Sequence, residues 1–179
     1  HYSSIARSVD IPIVIYNMPM RTGVNIEPET VMQLAKNNDN IKGIKDSSGN
    51  FNNILKYISL TSDEDFSVLS GNDALILWTL LAGGKGGITA LANIIPEIMV
   101  SIYQYYQKGD IEKAKKAQES ITPIRDCLKY GNPNTIVKRS ANIIGRPLGP
   151  CGAPFNTISE EVEQSITEII NQYYKESIR

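Results

Sequence analysis

Histidine, cysteine and long apolar runs are scarce in this 179-residue sequence. His1 is the only histidine, which argues against a Ser-His or Cys-His catalytic dyad within the chain. The two cysteines, Cys127 and Cys151, suit neither a disulfide framework nor a zinc cluster and favour a reducing compartment. No apolar run approaches the ~20 residues that cross a bilayer. We therefore expect a cytoplasmic protein without a membrane partner.

Net charge is also nearly absent. Lysine and arginine total 18 and aspartate and glutamate total 19, which gives a formal net charge of −1. This balance argues against nucleic acid as a partner, because such proteins carry a basic surface. The sequence has neither an initiator methionine nor a signal peptide. It begins with a pattern typical of the middle of a helix, so we expect further residues upstream of His1.

Four short apolar segments alternate with helical patterns at a spacing of about 25 residues. They predict strands at residues 11–17, 41–45, 66–70 and 87–91. Alternating strands and helices indicate βα units around a parallel sheet. Four units are half of a (β/α)8 TIM barrel, which takes ~250 residues. The predicted fold is therefore α/β, the C-terminal half of such a barrel, followed by a C-terminal helical appendage.

The chain changes character beyond residue 109, because helical patterns then follow one another without strands between them. We predict helices at 110–130, about 135–144 and 160–178, and a turn-rich connection at 145–154. The predicted domains are the half barrel, residues 1–109, and the helical region, residues 110–179.

Lys45 ends the second predicted strand. In a (β/α)8 barrel the catalytic residues come from the C-terminal ends of the strands. A lysine there, among apolar side chains, would lose hydration, which favours the neutral amine that attacks a ketone. The alternative is a lysine whose amine extends into solvent at the strand end. Position alone leaves both interpretations open.

Tyr16 ends the first predicted strand, and Arg21 follows it in the next loop. A phenol near an amine can donate and accept protons while an imine forms. A guanidinium can hold a carboxylate through two parallel hydrogen bonds. The alternatives are a tyrosine that caps the core and an ordinary surface arginine.

Four motifs occur in order along the chain, at residues 16–23, 43–46, 69–73 and 83–88. They read Tyr-Asn-x-Pro-x-Arg-Thr-Gly, Gly-Ile-Lys-Asp, Leu-Ser-Gly-Asn-Asp and Gly-Gly-Lys-Gly-Gly-Ile. Together they resemble the dihydrodipicolinate synthase / N-acetylneuraminate lyase family of pyruvate-dependent class I aldolases. The resemblance covers essentially the whole chain, including the helical region.

The resemblance implies specific roles for the motif residues. Lys45 matches the lysine that forms a Schiff base with pyruvate, and Tyr16 matches the tyrosine that shuttles protons. Ile88 matches the position whose backbone contacts bound pyruvate. Gly71 and Asn72 match the region that receives the second substrate.

Arg21 resembles the arginine that, in the synthase subgroup, grips the carboxylate of aspartate semialdehyde. The resemblance therefore implies a lyase that condenses pyruvate with aspartate semialdehyde in lysine biosynthesis. It implies neither a metal nor an organic cofactor, because the imine on Lys45 serves as the electron sink. It also implies a homo-oligomer, commonly a tetramer.

The sequence departs from the family pattern at several points. The family's Gly-Thr-Thr-Gly-Glu segment, which belongs to an earlier strand and holds the pyruvate carboxylate, is absent from this sequence. Residues 45–49 and 132–135 also differ from the commonest synthase forms. One alternative is another pyruvate aldolase, acting on a 2-keto-3-deoxy sugar acid or resembling N-acetylneuraminate lyase. An alternative from another class is a non-catalytic half barrel that serves as a binding or assembly module.

Overall fold

Four parallel strands form one sheet in the first half of the chain, in the order in which the sequence supplies them. They are β1 (Ile13–Asn17), β2 (Ile41–Asp46), β3 (Ser67–Ser70) and β4 (Gly86–Gly87). The structure is a computed structural model that describes residues 1–175, and it divides into a unit His1–Thr89 and a second unit that begins at Ala90. The predicted α/β class with four parallel strands is confirmed.

Helices alternate with the strands of the first unit. Their bounds are α1 (Tyr2–Ala6), α2 (Pro19–Thr22), α3 (Pro28–Asn37), α4 (Phe51–Leu60) and α5 (Ile76–Leu81), with a 3-10 turn at Asp73–Leu75. Pro28 lies in the first turn of α3, where a backbone N–H would have no helical partner. The Asn50 side chain caps α4 by accepting a hydrogen bond from the Asn52 N–H.

One face of the sheet is covered by helices and carries the core of this unit. Buried side chains of the first three strands, of α3 and of α4 meet there: Ile15, Ile44, Val68, Val31 and Ile54. Tyr16 alternates with Ile15 along β1 and therefore projects from the opposite face, where it is 49% exposed. Lys45 is the register partner of Tyr16 on β2 and shares that face. The pairing that builds the core thus also brings these two side chains together.

The fourth strand is shorter than predicted, and the prediction of residues 87–91 was wrong in its extent. Only Gly86 and Gly87 form the ladder, opposite Leu69 and Ser70. Strand β3 ends at Ser70, so beyond the Ile88 N–H, which donates to the Ser70 carbonyl oxygen, the chain has no strand to pair with on that side. The chain instead enters a 3-10 turn at Leu91–Asn93.

All regular elements in the described part of the second unit are helical. They are α6 (Pro96–Gln107), α7 (Ile111–Ser120), α8 (Thr122–Asp126), α9 (Pro133–Ile143) and α10 (Glu160–Tyr173), with 3-10 turns at Leu91–Asn93 and Cys127–Tyr130. Among residues 1–175, no helix combines the length and the apolar composition needed to cross a bilayer.

The second unit differs from the sequence prediction in one helix. The predicted helix 110–130 breaks after Ser120, because Pro123 has no N–H to donate and takes a position in the first turn of a new helix, α8. The predicted helix 160–178 is observed to Tyr173, and its last three residues lie outside the described part. The predicted division at residue 109 and the status of 110–179 as an appendage remain predictions.

Candidate active site

Lys45 and Tyr16 lie side by side at the ends of β2 and β1. Each is the next-to-last residue of its strand, and the two are register partners. The Lys45 Nζ atom lies 4.3 Å from the centre of the Tyr16 ring. The lysine side chain is partly buried, whereas about half of the tyrosine surface is exposed. The predicted nucleophile and the predicted proton carrier therefore meet at one edge of the sheet.

Lys42, near the start of β2, differs from Lys45 in its contacts. Its Nζ atom lies 2.7 Å from Oδ2 of Asp65 and donates a hydrogen bond to it. This hydrogen bond lowers the pKa of the Asp65 carboxyl from its usual value. The amine of Lys42 thus forms an exposed ion pair near the start of β2, whereas Lys45 lies at the other end of the strand.

Ser47 and Gly71 surround the Lys45 side chain. The Ser47 hydroxyl lies 3.4 Å from the Tyr16 hydroxyl and donates a hydrogen bond to it. A Cβ atom on Gly71 would lie 1.9 Å from the Ser47 Oγ and 2.9 Å from the Lys45 Cε. Gly71, predicted as part of the second-substrate region, therefore leaves the space that the lysine and serine side chains occupy. Ser47 was not predicted, although it follows Lys45 by the two-residue spacing that returns to one side of an extended chain.

Asn72 and Ile88 stand at the same ends of their strands. The Asn72 side chain accepts a hydrogen bond of 3.1 Å from the Ala74 N–H and so caps the 3-10 turn after β3. The Ile88 N–H donates to the Ser70 carbonyl oxygen at 2.9 Å, and the Ile88 side chain is about half exposed. Asn72 thus follows the strand next to β2 and Ile88 follows the strand beyond it, and their predicted contacts with substrate remain predictions.

Arg21 lies on a one-turn helix, α2, and not in the loop that the sequence predicted. Pro19 begins this turn and Gly23, with φ of 71°, ends it. The Arg21 side chain is exposed. Its guanidinium is available to a carboxylate, and its predicted role remains a prediction.

A buried polar network lies behind the strand ends, on the face opposite Tyr16 and Lys45. The Asn17 Nδ2 donates to Oδ1 of Asp46 at 2.7 Å and to Oδ1 of Asn25 at 2.9 Å. The Tyr57 hydroxyl donates to the Ile26 carbonyl oxygen in the same network. Burial, followed by the negative charges of nearby carboxylates, raises the pKa of Tyr57, so its phenol stays protonated. Apart from the polar residues directly after Tyr16 and Lys45, no sequence pattern indicates this network.

The arrangement places the Lys45 amine against the ring of a phenol, and a serine hydroxyl within hydrogen-bond distance of the phenol oxygen. An amine beside a proton donor can condense with a ketone and expel water, which is the chemistry of imine formation. Within residues 1–175 no group of three or more histidine, cysteine, aspartate or glutamate side chains is placed to hold a metal ion.

Known proteins are similar to this chain in sequence and in fold. The sequence profile of the Dihydrodipicolinate synthetase family matches residues 1–173. A 4-hydroxy-tetrahydrodipicolinate synthase from Methanospirillum hungatei JF-1 is 41% identical over 173 residues, which cover 97% of this chain and 59% of that protein. A crystal structure of dihydrodipicolinate synthase superposes with a TM-score of 0.89 at 35% identity, and the match covers 96% of this chain and 59% of the other.

A prophage protein of the dihydrodipicolinic acid synthase family from E. coli K12, solved in complex with pyruvate, gives a TM-score of 0.91 at 28% identity. The match covers 96% of this chain and 59% of that one. The chain therefore spans a little under three fifths of the length of the relatives it matches. The profile match over nearly all of its residues shows that this chain belongs to the dihydrodipicolinate synthetase family.

Proposed function

We propose that this chain is the C-terminal half of a (β/α)8-barrel lyase that forms a Schiff base between Lys45 and pyruvate. The observation that carries the proposal is the 4.3 Å contact between the Lys45 Nζ and the Tyr16 ring at two neighbouring strand ends. Two relatives support it, since one is a named synthase and another was solved in complex with pyruvate.

The chemistry begins at the Lys45 amine, which attacks the ketone carbon of pyruvate. The resulting carbinolamine loses water to give an imine, and Tyr16 supplies the proton that the departing hydroxyl needs. The imine then loses a methyl proton and becomes an enamine, because the protonated imine nitrogen takes up the electron pair. The enamine carbon attacks an aldehyde carbon, whose oxygen takes up a proton, and the imine to Lys45 is restored. Water, or an amine of the product, then adds to the imine carbon, and the C–N bond to Lys45 breaks, which releases the product and restores the amine. Since the imine nitrogen is the electron sink, the sequence of steps needs neither a metal nor an organic cofactor.

We assign aspartate semialdehyde as the aldehyde, so the whole protein acts as a 4-hydroxy-tetrahydrodipicolinate synthase in lysine biosynthesis. Arg21 supports this choice, because its exposed guanidinium follows the end of β1 closely and fits a carboxylate through two hydrogen bonds. Gly71 and Asn72 border the space for this second substrate, and the backbone of Ile88 faces pyruvate. An aldehyde of a polyol has no carboxylate for Arg21 to hold.

The complete protein, in this proposal, closes the barrel with further βα units. The support is the matched share of 59% of the relatives' length and the exposure of Val14 and Tyr16 on one face of the sheet. In the same proposal, the domain predicted at residues 110–179 follows the barrel. The protein acts in the cytoplasm on small molecules, without nucleic acid or membrane partners, and assembles as a homotetramer.

Reduction with borohydride in the presence of pyruvate tests the proposal directly. In the complete protein, a stable three-carbon adduct is expected on Lys45, found by intact mass and peptide mapping. Lys45→Arg removes the adduct, while the matched control Lys42→Arg leaves it unchanged, because the Lys42 amine is held by Asp65. Recovery of the adduct on Lys42 or Lys85 contradicts the assignment.

A further inference from the structure

We propose that Asn17 and Asp46 are positioning residues for imine formation, because their buried hydrogen bond fixes the strand ends that carry Tyr16 and Lys45. The inference rests on the proposed function, since it concerns the rate at which Lys45 reacts with pyruvate. Neither side chain projects from the face that carries Tyr16 and Lys45. Both act through the backbone to which the reacting side chains are attached.

Each member of the pair directly follows one site residue. Tyr16 pairs with Lys45 in the register, and Asn17 pairs with Asp46 one step further along the same two strands. Because side chains alternate between the faces of a strand, the two pairs project in opposite directions from one point of the sheet. The Asn17 Nδ2 and the Asp46 Oδ1 are 2.7 Å apart, and each residue is 1% exposed. A hydrogen bond to a buried carboxylate is stronger than one between neutral groups.

The Asn17 side chain has one possible orientation. Its Oδ1 accepts a hydrogen bond of 3.1 Å from the Ile26 N–H, so its amide nitrogen is directed to Asp46 and to the Asn25 Oδ1. The contact with Ile26 also ties the segment after α2 to the end of β1. Asn17 therefore determines the direction of the chain on both sides of the turn that carries Arg21.

Asp46 connects the pair to the other residues of the site. Its Oδ2 accepts a hydrogen bond of 2.7 Å from the Ser48 hydroxyl, which shapes the turn that holds Ser47 at 3.4 Å from the Tyr16 hydroxyl. The Asp46 carbonyl oxygen accepts from the Gly71 N–H at 2.7 Å. The Ser47 N–H in turn donates to the Asn17 carbonyl oxygen at 2.8 Å. Asn17 and Asp46 thus connect the C-terminal ends of β1, β2 and β3.

A polar pair at this place is unusual for the face on which it lies. The preceding positions on the same face of β1 and β2 are Ile15 and Ile44, which pack as ordinary core residues. Burying a carboxylate costs free energy that apolar side chains of similar size do not incur. Directional hydrogen bonds fix one register and one chain direction, whereas apolar contacts tolerate small shifts. The polar pair directly follows the register pair that carries the phenol and the amine.

The test compares three variants of the complete protein by the rate of borohydride-trapped imine at saturating pyruvate, per folded molecule. Asp46→Ala removes the bond to Asn17 and is expected to slow trapping about 10- to 100-fold, because a shift of ~1 Å in a reacting group costs rate on this scale. Asp46→Asn keeps a carbonyl oxygen for Asn17 and is expected to stay within about threefold of the parent. The matched control is Tyr57→Phe, which removes the hydroxyl that accepts a hydrogen bond of 3.3 Å from the Asn17 Nδ2 but leaves the Asn17–Asp46 bond in place. It is expected to lower the melting temperature but to leave the trapping rate within about twofold.

The half-saturating concentration of pyruvate should change by less than about threefold in each variant, since neither Asn17 nor Asp46 faces pyruvate in the proposed site. Should Asp46→Ala fail to fold, the double variant Asn17→Leu with Asp46→Leu takes its place, because replacing both partners with apolar groups of similar size is tolerated best. It carries the same expected loss of rate.

Each outcome decides between the two proposals. Absence of an adduct in the parent protein refutes the proposed function itself. A parent that forms the adduct, together with Asp46→Ala or the double leucine variant at the full rate, refutes the positioning role. An equal loss of rate in Tyr57→Phe also refutes it, because the loss then reflects general loosening of the network. Loss in Asp46→Ala with near-parental Asp46→Asn and Tyr57→Phe supports it.

Discussion

Gly71 and Lys45 approach each other so closely that a side chain on the glycine would displace the lysine side chain. A Cβ atom there would lie 2.9 Å from the Lys45 Cε and 1.9 Å from the Ser47 Oγ. We therefore expect Gly71→Ala to displace both side chains and to slow imine formation by about 100-fold, as displacements of ~1 Å do at reacting groups. The trapping rate with pyruvate and borohydride, measured in the complete protein, checks this.

Gly149→Ala is the matched control for this substitution. A Cβ atom at Gly149 meets no heavy atom within 4 Å, so the alanine adds no contact. We expect the same trapping rate as in the parent protein. A rate for Gly71→Ala within about twofold of the control would mean that Lys45 does not need the space beside Gly71.

The Tyr16 hydroxyl is expected to matter for rate and not for folding. Tyr16→Phe removes one hydroxyl from a side chain that is about half exposed, so the melting temperature should change little. Loss of a positioned acid or base lowers kcat by about 100- to 10,000-fold. Tyr103→Phe, at an exposed tyrosine of α6, is the control and should leave kcat unchanged. An unchanged kcat in Tyr16→Phe would return Tyr16 to a structural role.

The positions of Tyr16 and Lys45 could be predicted because they depend on local sequence. Short apolar segments end at these residues, and parallel strands bring their C-terminal ends to one edge of a sheet. The extent of β4 could not be predicted in the same way. It depends on where β3 ends, at Ser70, and this is a property of a segment nearly 20 residues away.

The contacts that complete the site are also non-local. Asn17 and Asp46 are 29 residues apart, and neither their spacing nor their residue types predict the hydrogen bond between them. Gly71 could be assigned to the site by resemblance, but its closeness to Lys45 follows only from the turn after β3. The prediction of one helix over 110–130 overlooked Pro123, although a proline inside a helical pattern ends or restarts a helix.

Because Tyr174 is buried, we expect the protein to lose stability in alkaline solution. Burial raises its pKa from the usual 10.0 to about 12, and its hydroxyl donates to the Ser120 carbonyl oxygen at 2.7 Å. Between these values the unfolded chain releases the proton while the folded chain keeps it. The contribution to stability is therefore complete below pH 10 and is lost as the pH rises to 12. At about pH 11 the loss amounts to about 1.4 kcal/mol.

Urea unfolding at about pH 9 and about pH 11 measures this contribution. Tyr174→Phe should lower the unfolding free energy at the lower pH, because the bond to Ser120 is gone, and should remove about 1.4 kcal/mol of the alkaline loss. Tyr173→Phe is the matched control, since that neighbouring side chain is 54% exposed. It should keep the full alkaline loss. An alkaline loss of equal size in both variants would show that Tyr174 does not cause it.

Substitution of Arg21 distinguishes the two aldolase functions, one acting on aspartate semialdehyde and the other on a sugar acid. A guanidinium–carboxylate pair forms two charged hydrogen bonds, so Arg21→Ala should lower kcat/KM for aspartate semialdehyde by about 30- to 1000-fold, or about 2 to 4 kcal/mol. Imine trapping with pyruvate alone should hardly change, and Arg21→Lys should restore little, because an ammonium lacks the planar fork. Arg7→Ala, at an exposed arginine after α1, is the control and should leave both rates unchanged. Faster turnover of 2-keto-3-deoxygluconate than of aspartate semialdehyde by the parent protein, unaffected by Arg21→Ala, would instead establish a sugar-acid aldolase.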